Sequence, residues 1–131
     1  MIQVMGEALI DIIVSPQGEI DSVVGGGPVN TARTIARLGL EVSFLGGIPQ
    51  DALGKRIRRL LDSDSVNCAI EQDCAAPTTL AIASLDESGS ASYQFLIHGT
   101  SSLSVSPQIA LAAVNPSAVA VHIGTLALIF E

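Results

Sequence analysis

The sequence predicts an α/β fold in which helices cover a mainly parallel sheet. Segments of strand length alternate with segments of helical periodicity through the first half of the chain. Three consecutive glycines, residues 25–27, run directly into the first helical segment. Two further apolar segments, 78–85 and 91–97, flank a short turn that contains Gly89, and this spacing predicts a β-hairpin.

The N-terminal quarter predicts three strands. The first spans Ile2–Met5 and the second spans residues 10–14, with Gly6 and Glu7 interrupting the apolar pattern between them. Residues 22–24 predict a short return strand that leads into the glycines. The glycines therefore follow a strand and precede a helix.

The first helix is predicted over residues 29–38. Pro28 suits the first turn of a helix because it has no N–H to leave unpaired there, and Gly39 suits the left-handed position after the last turn. Its apolar residues recur at helical spacing: Val29, Ala32, Ile35, Ala36 and Leu38. A helix anchored in this way presents free amide groups and a loop almost without side chains, which favours a small bound ligand.

The remaining elements follow from the same periodicities. A strand is predicted at Val42–Leu45 and a helix over residues 53–62. In the hairpin, Tyr93, Phe95 and Ile97 share one face. A helix over 107–114 and a buried strand over 118–123 complete the chain, and His122 in that strand is expected to be a core histidine.

Composition excludes several classes of protein. The 131 residues predict one domain, 1–131, and the 48% hydrophobic content excludes disorder. No apolar run reaches the ~18 residues of a membrane span. The net charge of -7 argues against a nucleic-acid partner. The N-terminus lacks a secretion signal, so the cytoplasm is the expected location.

Isolated side chains give no metal or redox site. Cys68 and Cys74 do not have the spacing of a redox or zinc motif, and His98 and His122 are too isolated to form a metal set. The basic cluster over residues 55–59 is interpreted as a solvated helix face.

Two nucleotide-binding motifs match only in part. The pattern from Gly25 to Asn30 lacks the third glycine of the dinucleotide fingerprint, although a dinucleotide-binding fragment stays an alternative. Six residues separate Gly47 from Gly54, and Arg56 stands where a P-loop needs Ser or Thr. Neither motif explains the glycine loop well.

Several segments taken together resemble the ribokinase and fructokinase-like (PfkB) family of sugar kinases. They cover nearly the whole chain: residues 6–11, 25–32, 36–39, 46–54 and 77–80, with the hairpin at Gly89 similar to the family's lid. The chain departs from the family pattern at Pro49 and Gln50, which precede Asp51. The resemblance implies a partial ribokinase-like fold with a small β-hairpin lid.

The resemblance also implies a binding site for a small-molecule sugar. By the family pattern, Asp11 is expected to accept hydrogen bonds from sugar hydroxyls, Gly26 and Gly27 to let the ring lie on the backbone, and Asn30 to fix a further hydroxyl. The lid is expected to close over the sugar, with Phe95 or Tyr93 as an apolar cover. This set suits a neutral polyol, because each buried hydroxyl needs a polar partner. The alternatives are a turn-capping Asp11, a helix-capping Asn30 and a Phe95 that packs in the core.

The resemblance implies ATP and Mg²⁺ as cofactors, but the chain lacks the Gly-Ala-Gly-Asp type motif that carries the catalytic base and the anion hole. We therefore expect no catalytic or cofactor-binding residue here, and no activity from this chain alone. A non-catalytic sugar-binding or self-assembly module is the alternative. The apolar residues 126–130 predict a homo-oligomer formed through the lid or an exposed sheet edge.

Overall fold

The computed structural model of this chain describes residues 1–70 and 74–130, which form two four-stranded sheets and three α-helices. The strands are β1 (Ile2–Met5), β2 (Leu9–Val14), β3 (Ile20–Gly25), β4 (Val42–Leu45), β5 (Asn67–Cys68), β6 (Thr79–Leu85), β7 (Ala91–Leu96) and β8 (Ala120–Ile123). The helices are α1 (Gly27–Arg37), α2 (Ala52–Ser63) and α3 (Pro107–Ala113), and two 3₁₀ turns lie at Ser101–Leu103 and Leu126–Leu128. The predicted α/β class is confirmed, since most of the described strand pairs are parallel.

The first sheet has the order β5-β4-β1-β8 and is parallel throughout. The strands that follow β1 in the chain, β4 and β5, lie on one side of it in the sheet, whereas the last strand, β8, lies on its other side. The direction in which strands are added therefore reverses between β1 and β8. In open parallel sheets such a reversal leaves a crevice outside the carboxyl ends of the strands, where ligands bind. Here that place follows Met5 and Ile123, which are paired in register.

The second sheet has the order β3-β2-β6-β7, with β2 and β6 parallel and both edge strands antiparallel to their neighbours. The predicted hairpin is present as β6 and β7. This hairpin is part of a larger sheet, because every residue of β2 is paired with a residue of β6. The return strand β3 is longer than predicted, since Ile20–Gly25 pairs with all of β2.

Both sheets and the helices α1 and α2 share one hydrophobic core. Phe44 of β4, Ile10 of β2 and Ile57 of α2 are each at most 1% exposed. The edge strand β3 is also tied to α2 by Arg56, whose Nη1 and Nη2 donate to the hydroxyl and carbonyl oxygens of Ser22, each at 2.7 Å. The second sheet is therefore fastened to the first through packing and through this double hydrogen bond.

The prediction that the last strand is buried is wrong. All four residues of β8 are exposed, with Val121 at 46% and Ile123 at 55%. His122 is exposed as well, so it is not a core histidine. An apolar strand is buried only when other elements cover it, and among the described elements β1 alone pairs with β8.

The helices are short. The longest, α2, has 12 residues, and no helix within the described ranges is long and apolar enough to cross a lipid bilayer.

Candidate functional site

The glycine loop lies between the end of β3 and the start of α1. Gly26 has φ 105°, a conformation that favours glycine, and a Cβ there would lie 2.7 Å from the carbonyl oxygen of Glu7. The N–H of Asn30 donates to the Gly26 carbonyl at 3.0 Å, which closes the first helical turn. Glycine is therefore required at this position for both backbone conformation and space.

Asp11 lies in the middle of β2, with its carboxylate directly against the backbone of Gly25. The side chain is half-buried, and no residue in the described ranges donates a hydrogen bond to it or forms an ion pair with it. Burial raises the pKa of Asp11 above its ordinary value. Among the described residues Asp11 caps no turn and has no hydrogen-bond donor, so its carboxylate is available beside the glycine loop.

One row of paired residues crosses the second sheet at the level of Asp11. Val23, Asp11, Ala81 and Phe95 are in register from β3 to β7, so their side chains project from the same face. The residue between Asp11 and Phe95 is the small Ala81. This row places the carboxylate and the aromatic ring on one surface with little bulk between them.

Phe95 is half-buried and belongs to an aromatic group. Its ring stacks on Tyr93 with centroids 6.1 Å apart and an interplanar angle of 10°, and it meets Phe130 at 6.3 Å. The core-packing alternative for Phe95 therefore holds only for part of the ring. Phe130 connects this group to the end of the first sheet.

A cavity of about 520 Å³ lies at the carboxyl ends of β1, β4 and β8, where the reversal of connections predicts a crevice. Gly6, Gly46 and Gly124, each just after a strand, form its floor, and Ser102 and Phe130 line its walls. Asp11 and the glycine loop do not line this cavity. The predicted sugar-binding residues thus lie outside this cavity. They lie at the glycine loop and on the face of the second sheet that carries Asp11 and Phe95, and Phe130 contacts both Phe95 and the cavity.

Glu7 is a functional candidate to which the sequence analysis assigns no role. It is 1% exposed and accepts hydrogen bonds from the Thr125 hydroxyl (2.7 Å), the Thr125 amide (2.8 Å) and the Leu126 amide (3.1 Å). Burial alone raises the pKa of Glu7, but these hydrogen bonds outweigh it and hold the pKa below its ordinary value. Glu7 therefore fixes the segment after β8 beside the glycine loop.

Thr125 and Glu7 also lie within ordinary contact distance of the glycine loop. A Cβ at Gly27 would lie 3.4 Å from the Thr125 hydroxyl and 3.8 Å from Oε1 of Glu7. An acidic residue two positions after a strand is the one sequence signal that marks Glu7, since residues there lie at the carboxyl edge of a parallel sheet. Its hydrogen-bond partner Thr125 lies 118 residues further along the chain, and no sequence pattern marks that residue.

Asp51 is a second carboxylate whose contacts the sequence does not reveal. It caps α2 by accepting from the Gly54 amide at 2.8 Å, and it also accepts from the amide and hydroxyl of Thr78 at 2.9 and 2.6 Å. Burial is the largest single influence on the pKa of Asp51 and raises it, but the hydrogen bonds from Thr78 and Gly54 together lower the pKa overall. Asp51 thus joins the start of α2 to the start of β6.

Asn30 lies exposed in the first turn of α1. The residue that caps this helix is Gly26, without a side-chain hydrogen bond, so Asn30 does not cap its own helix. The Asn30 side chain forms no hydrogen bond with any other described residue. Its amide group is therefore free to bind a ligand in front of the helix.

The described residues contain no group of three metal-ligating side chains, and neither Cys68 nor Cys74 forms a disulfide. The dinucleotide pattern is not embedded in a parallel strand–helix–strand unit, because the glycines follow β3, an antiparallel edge strand.

Comparison with known proteins agrees with this architecture. The chain is 29% identical over 108 residues to a fructokinase from Klebsiella pneumoniae, an alignment that covers 82% of this chain and 35% of the relative. A fructokinase structure from Xylella fastidiosa superposes with a TM-score of 0.82 at 29% identity, over 93% of this chain and 41% of that one.

A fructokinase from Vibrio cholerae O395, solved in a fructose, ADP and calcium ion bound form, superposes with a TM-score of 0.71 at 26% identity, over 87% of this chain and 36% of that one. The chain thus spans about a third of the length of the relatives it matches. The family model described as "pfkB family carbohydrate kinase" matches residues 1–129. This chain therefore belongs to the PfkB family of carbohydrate kinases.

Proposed function

We propose that this chain forms the sugar-binding and lid portion of an ATP-dependent kinase that phosphorylates a sugar hydroxyl. The fructose-bound relative from Vibrio cholerae supports a sugar as the substrate, and its ADP supports an adenine nucleotide as the phosphoryl donor. Family membership supports the reaction class. Fructose is the first sugar to test because the superposed relatives are fructokinases.

The carboxylate of Asp11 carries the proposal. It is half-buried, has no hydrogen-bond donor within the described ranges, and lies against Gly25 at the glycine loop. A carboxylate in this situation gains most from a ligand that donates hydroxyl hydrogens, since an unsatisfied buried acceptor costs ~1–3 kcal/mol. Asp11 accordingly accepts from two or more hydroxyls of the sugar.

The glycine loop and Asn30 complete the polar contacts. The backbone at Gly26 and Gly27 carries no side chain, so a sugar ring can lie on it, and the exposed amide of Asn30 binds one further hydroxyl. On the second sheet, Phe95 provides an apolar cover that excludes water when the sheet closes as a lid.

The proposal assigns no catalytic role to the described residues. Phosphoryl transfer needs a base, an anion-stabilising loop and Mg²⁺ on the phosphates, and the described residues contain no cluster of three metal-ligating side chains. We expect this chain alone to bind sugar without phosphorylating it. Phosphorylation of any sugar by the isolated polypeptide would contradict this expectation.

Calorimetric titration with fructose tests the site. Asp11→Ala is expected to weaken binding by ~1.5–3 kcal/mol, the typical loss of a charged hydrogen bond. Asp21→Ala is the matched control, because Asp21 lies exposed on the neighbouring strand β3 and its loss changes the net charge equally. Equal affinity of the Asp11 variant and the wild type would reject the assignment.

We also propose that the chain self-associates through the edges of the second sheet. β3 and β7 pair on one side only among the described strands, and they expose Ile20 at 71%, Tyr93 at 61% and Leu96 at 43%. Open edges with apolar side chains pair readily with a second copy. Light scattering that shows a monodisperse monomer would contradict this proposal.

A further inference from the structure

A second cavity lies between the edge strand β3 and the helices α1 and α2, and its lining includes Val23, the residue of β3 that is paired with Asp11. Its volume is about 440 Å³, within the range of pockets that bind small molecules. Arg33 of α1 and Arg56 and Arg59 of α2 line it together. It shares no lining residue with the crevice at the carboxyl ends of the first sheet.

The positive charge of the chain is concentrated around this cavity. The net charge is -7, yet all six basic residues lie on α1 and α2: Arg33, Arg37, Lys55, Arg56, Arg58 and Arg59. None of the described residues that line the cavity is acidic. The cavity is therefore a cationic site on an acidic protein.

The protein neutralises this charge only in part. Asp64 is shared by two guanidinium groups, with Nε of Arg33 at 2.6 Å and Nε of Arg37 at 2.9 Å, and it does not line the cavity. Arg59 is exposed and has no hydrogen-bond or ion-pair partner within the described ranges. The terminal nitrogens of Arg33 and the whole guanidinium group of Arg59 thus keep donors for a ligand.

The rest of the wall is apolar or neutral. Val23, Val24 and Leu60 line the cavity, and the Ser63 hydroxyl donates to the Leu60 carbonyl at 2.8 Å, which leaves its oxygen free to accept. A ligand here would meet a cationic side and a hydrophobic side. Guanidinium groups match the oxygens of a phosphate in a planar, bidentate manner, and two partly free groups suit a dianion better than a single negative charge.

We propose that this cavity binds an organic phosphomonoester, with its phosphate on Arg33 and Arg59 and its organic part on Val23 and Leu60. Arg56 also lines the cavity, where its guanidinium group donates to Ser22 of β3. The proposal does not depend on the sugar site.

Titration with phenyl phosphate at low ionic strength tests the assignment, because salt screens exposed charges. Arg59→Ala is expected to raise the dissociation constant about tenfold, the effect of one lost charge-assisted contact. Lys55→Ala is the matched control, since Lys55 lies exposed on the same helix, outside the cavity, and removes the same charge. An equal loss in both variants, or no binding to the wild type, would overturn the proposal.

Two further titrations test which ligand binds and at which site it binds. Phenyl phosphate is expected to bind more tightly than inorganic phosphate because its ring contacts Val23 and Leu60, and equal affinities would overturn the assignment of an organic ligand. Asp11→Ala is expected to bind phenyl phosphate like the wild type. A loss in that variant would place the phosphate in the sugar site and overturn the proposal, while leaving the sugar-binding proposal intact.

Discussion

The carboxylate of Asp11 occupies the space directly over Gly25, so that a methyl group at Gly25 would overlap Oδ2 of Asp11. The two residues lie on neighbouring strands, and the missing side chain of one makes room for the charged group of the other. The glycine at this position thus sets where the proposed sugar-binding oxygen lies.

Gly25→Ala is expected to weaken fructose binding by roughly ten- to hundredfold by displacing the Asp11 carboxylate, since a lost charged hydrogen bond costs ~1.5–3 kcal/mol. Gly25 does not have a positive φ, so alanine is tolerated by the backbone. Calorimetry measures the effect. In an Asp11→Ala background the same substitution should cause no further loss, and additive losses would refute the coupling.

Asp11→Asn is expected to stabilise the protein at pH 7. Burial raises the pKa of Asp11 in the folded state, so the ionised carboxylate destabilises the fold at pH values above that raised pKa. As the pH falls below this raised pKa, the carboxyl group of Asp11 becomes protonated in the folded protein, and the gain in unfolding free energy from asparagine disappears. Thermal denaturation between pH 3 and pH 7 measures this, with the exposed Asp21→Asn as control, and an Asp11 variant that is less stable at pH 7 would contradict it.

Glu7→Gln is expected to destabilise the fold by ~2–3 kcal/mol at pH 7, because an amide cannot accept all the bonds that Thr125 and Leu126 donate to Glu7. The pKa of Glu7 is lowered in the folded state, so the stabilisation is present above the ordinary glutamate pKa and is lost as the pH falls through the lowered value. Urea unfolding at pH 7 and at pH 3 measures the difference.

The control for Glu7 is Glu41→Gln, since Glu41 is exposed. A destabilisation of the Glu7 variant that stays equally large well below the lowered pKa would show that the charge is not the cause.

Asp51→Ala is expected to cost ~1–3 kcal/mol of unfolding free energy, because it removes the cap of α2 and both bonds to Thr78. Asp62→Ala is the control on the same helix, since Asp62 is exposed near its other end. Denaturant unfolding of the two variants makes the comparison, and equal stabilities would contradict the role given to Asp51.

Local patterns predict local structure well in this chain. The helix predicted over 29–38 is Gly27–Arg37, and the strand Val42–Leu45 is found as predicted, because helical and alternating periodicities are visible in short windows. The resemblance to sugar kinases places Asp11 and the glycine loop together, and the structure has them in contact. What they bind stays a prediction.

The sequence patterns do not predict the long-range contacts of the fold. Glu7 meets Thr125 across 118 residues, and no periodicity connects the two. The exposure of β8 is not predicted for a related reason. An apolar sequence indicates a preference for burial, but it does not tell which element covers the strand. Ser22 and Arg56 are likewise joined only by the folded arrangement of β3 and α2.

The double hydrogen bond from Arg56 to Ser22 gives the second sheet one anchored side. β3 is held to α2 at two atoms, whereas β7, at the opposite edge, has no such tether among the described contacts. Asp51 also holds the start of β6 to α2 through Thr78, so a rigid rotation of this sheet would hinge near these two attachments, and the tip of the β6–β7 hairpin would move farthest. Breaking that anchor should loosen the swing of the hairpin without touching the residues proposed to hold the sugar.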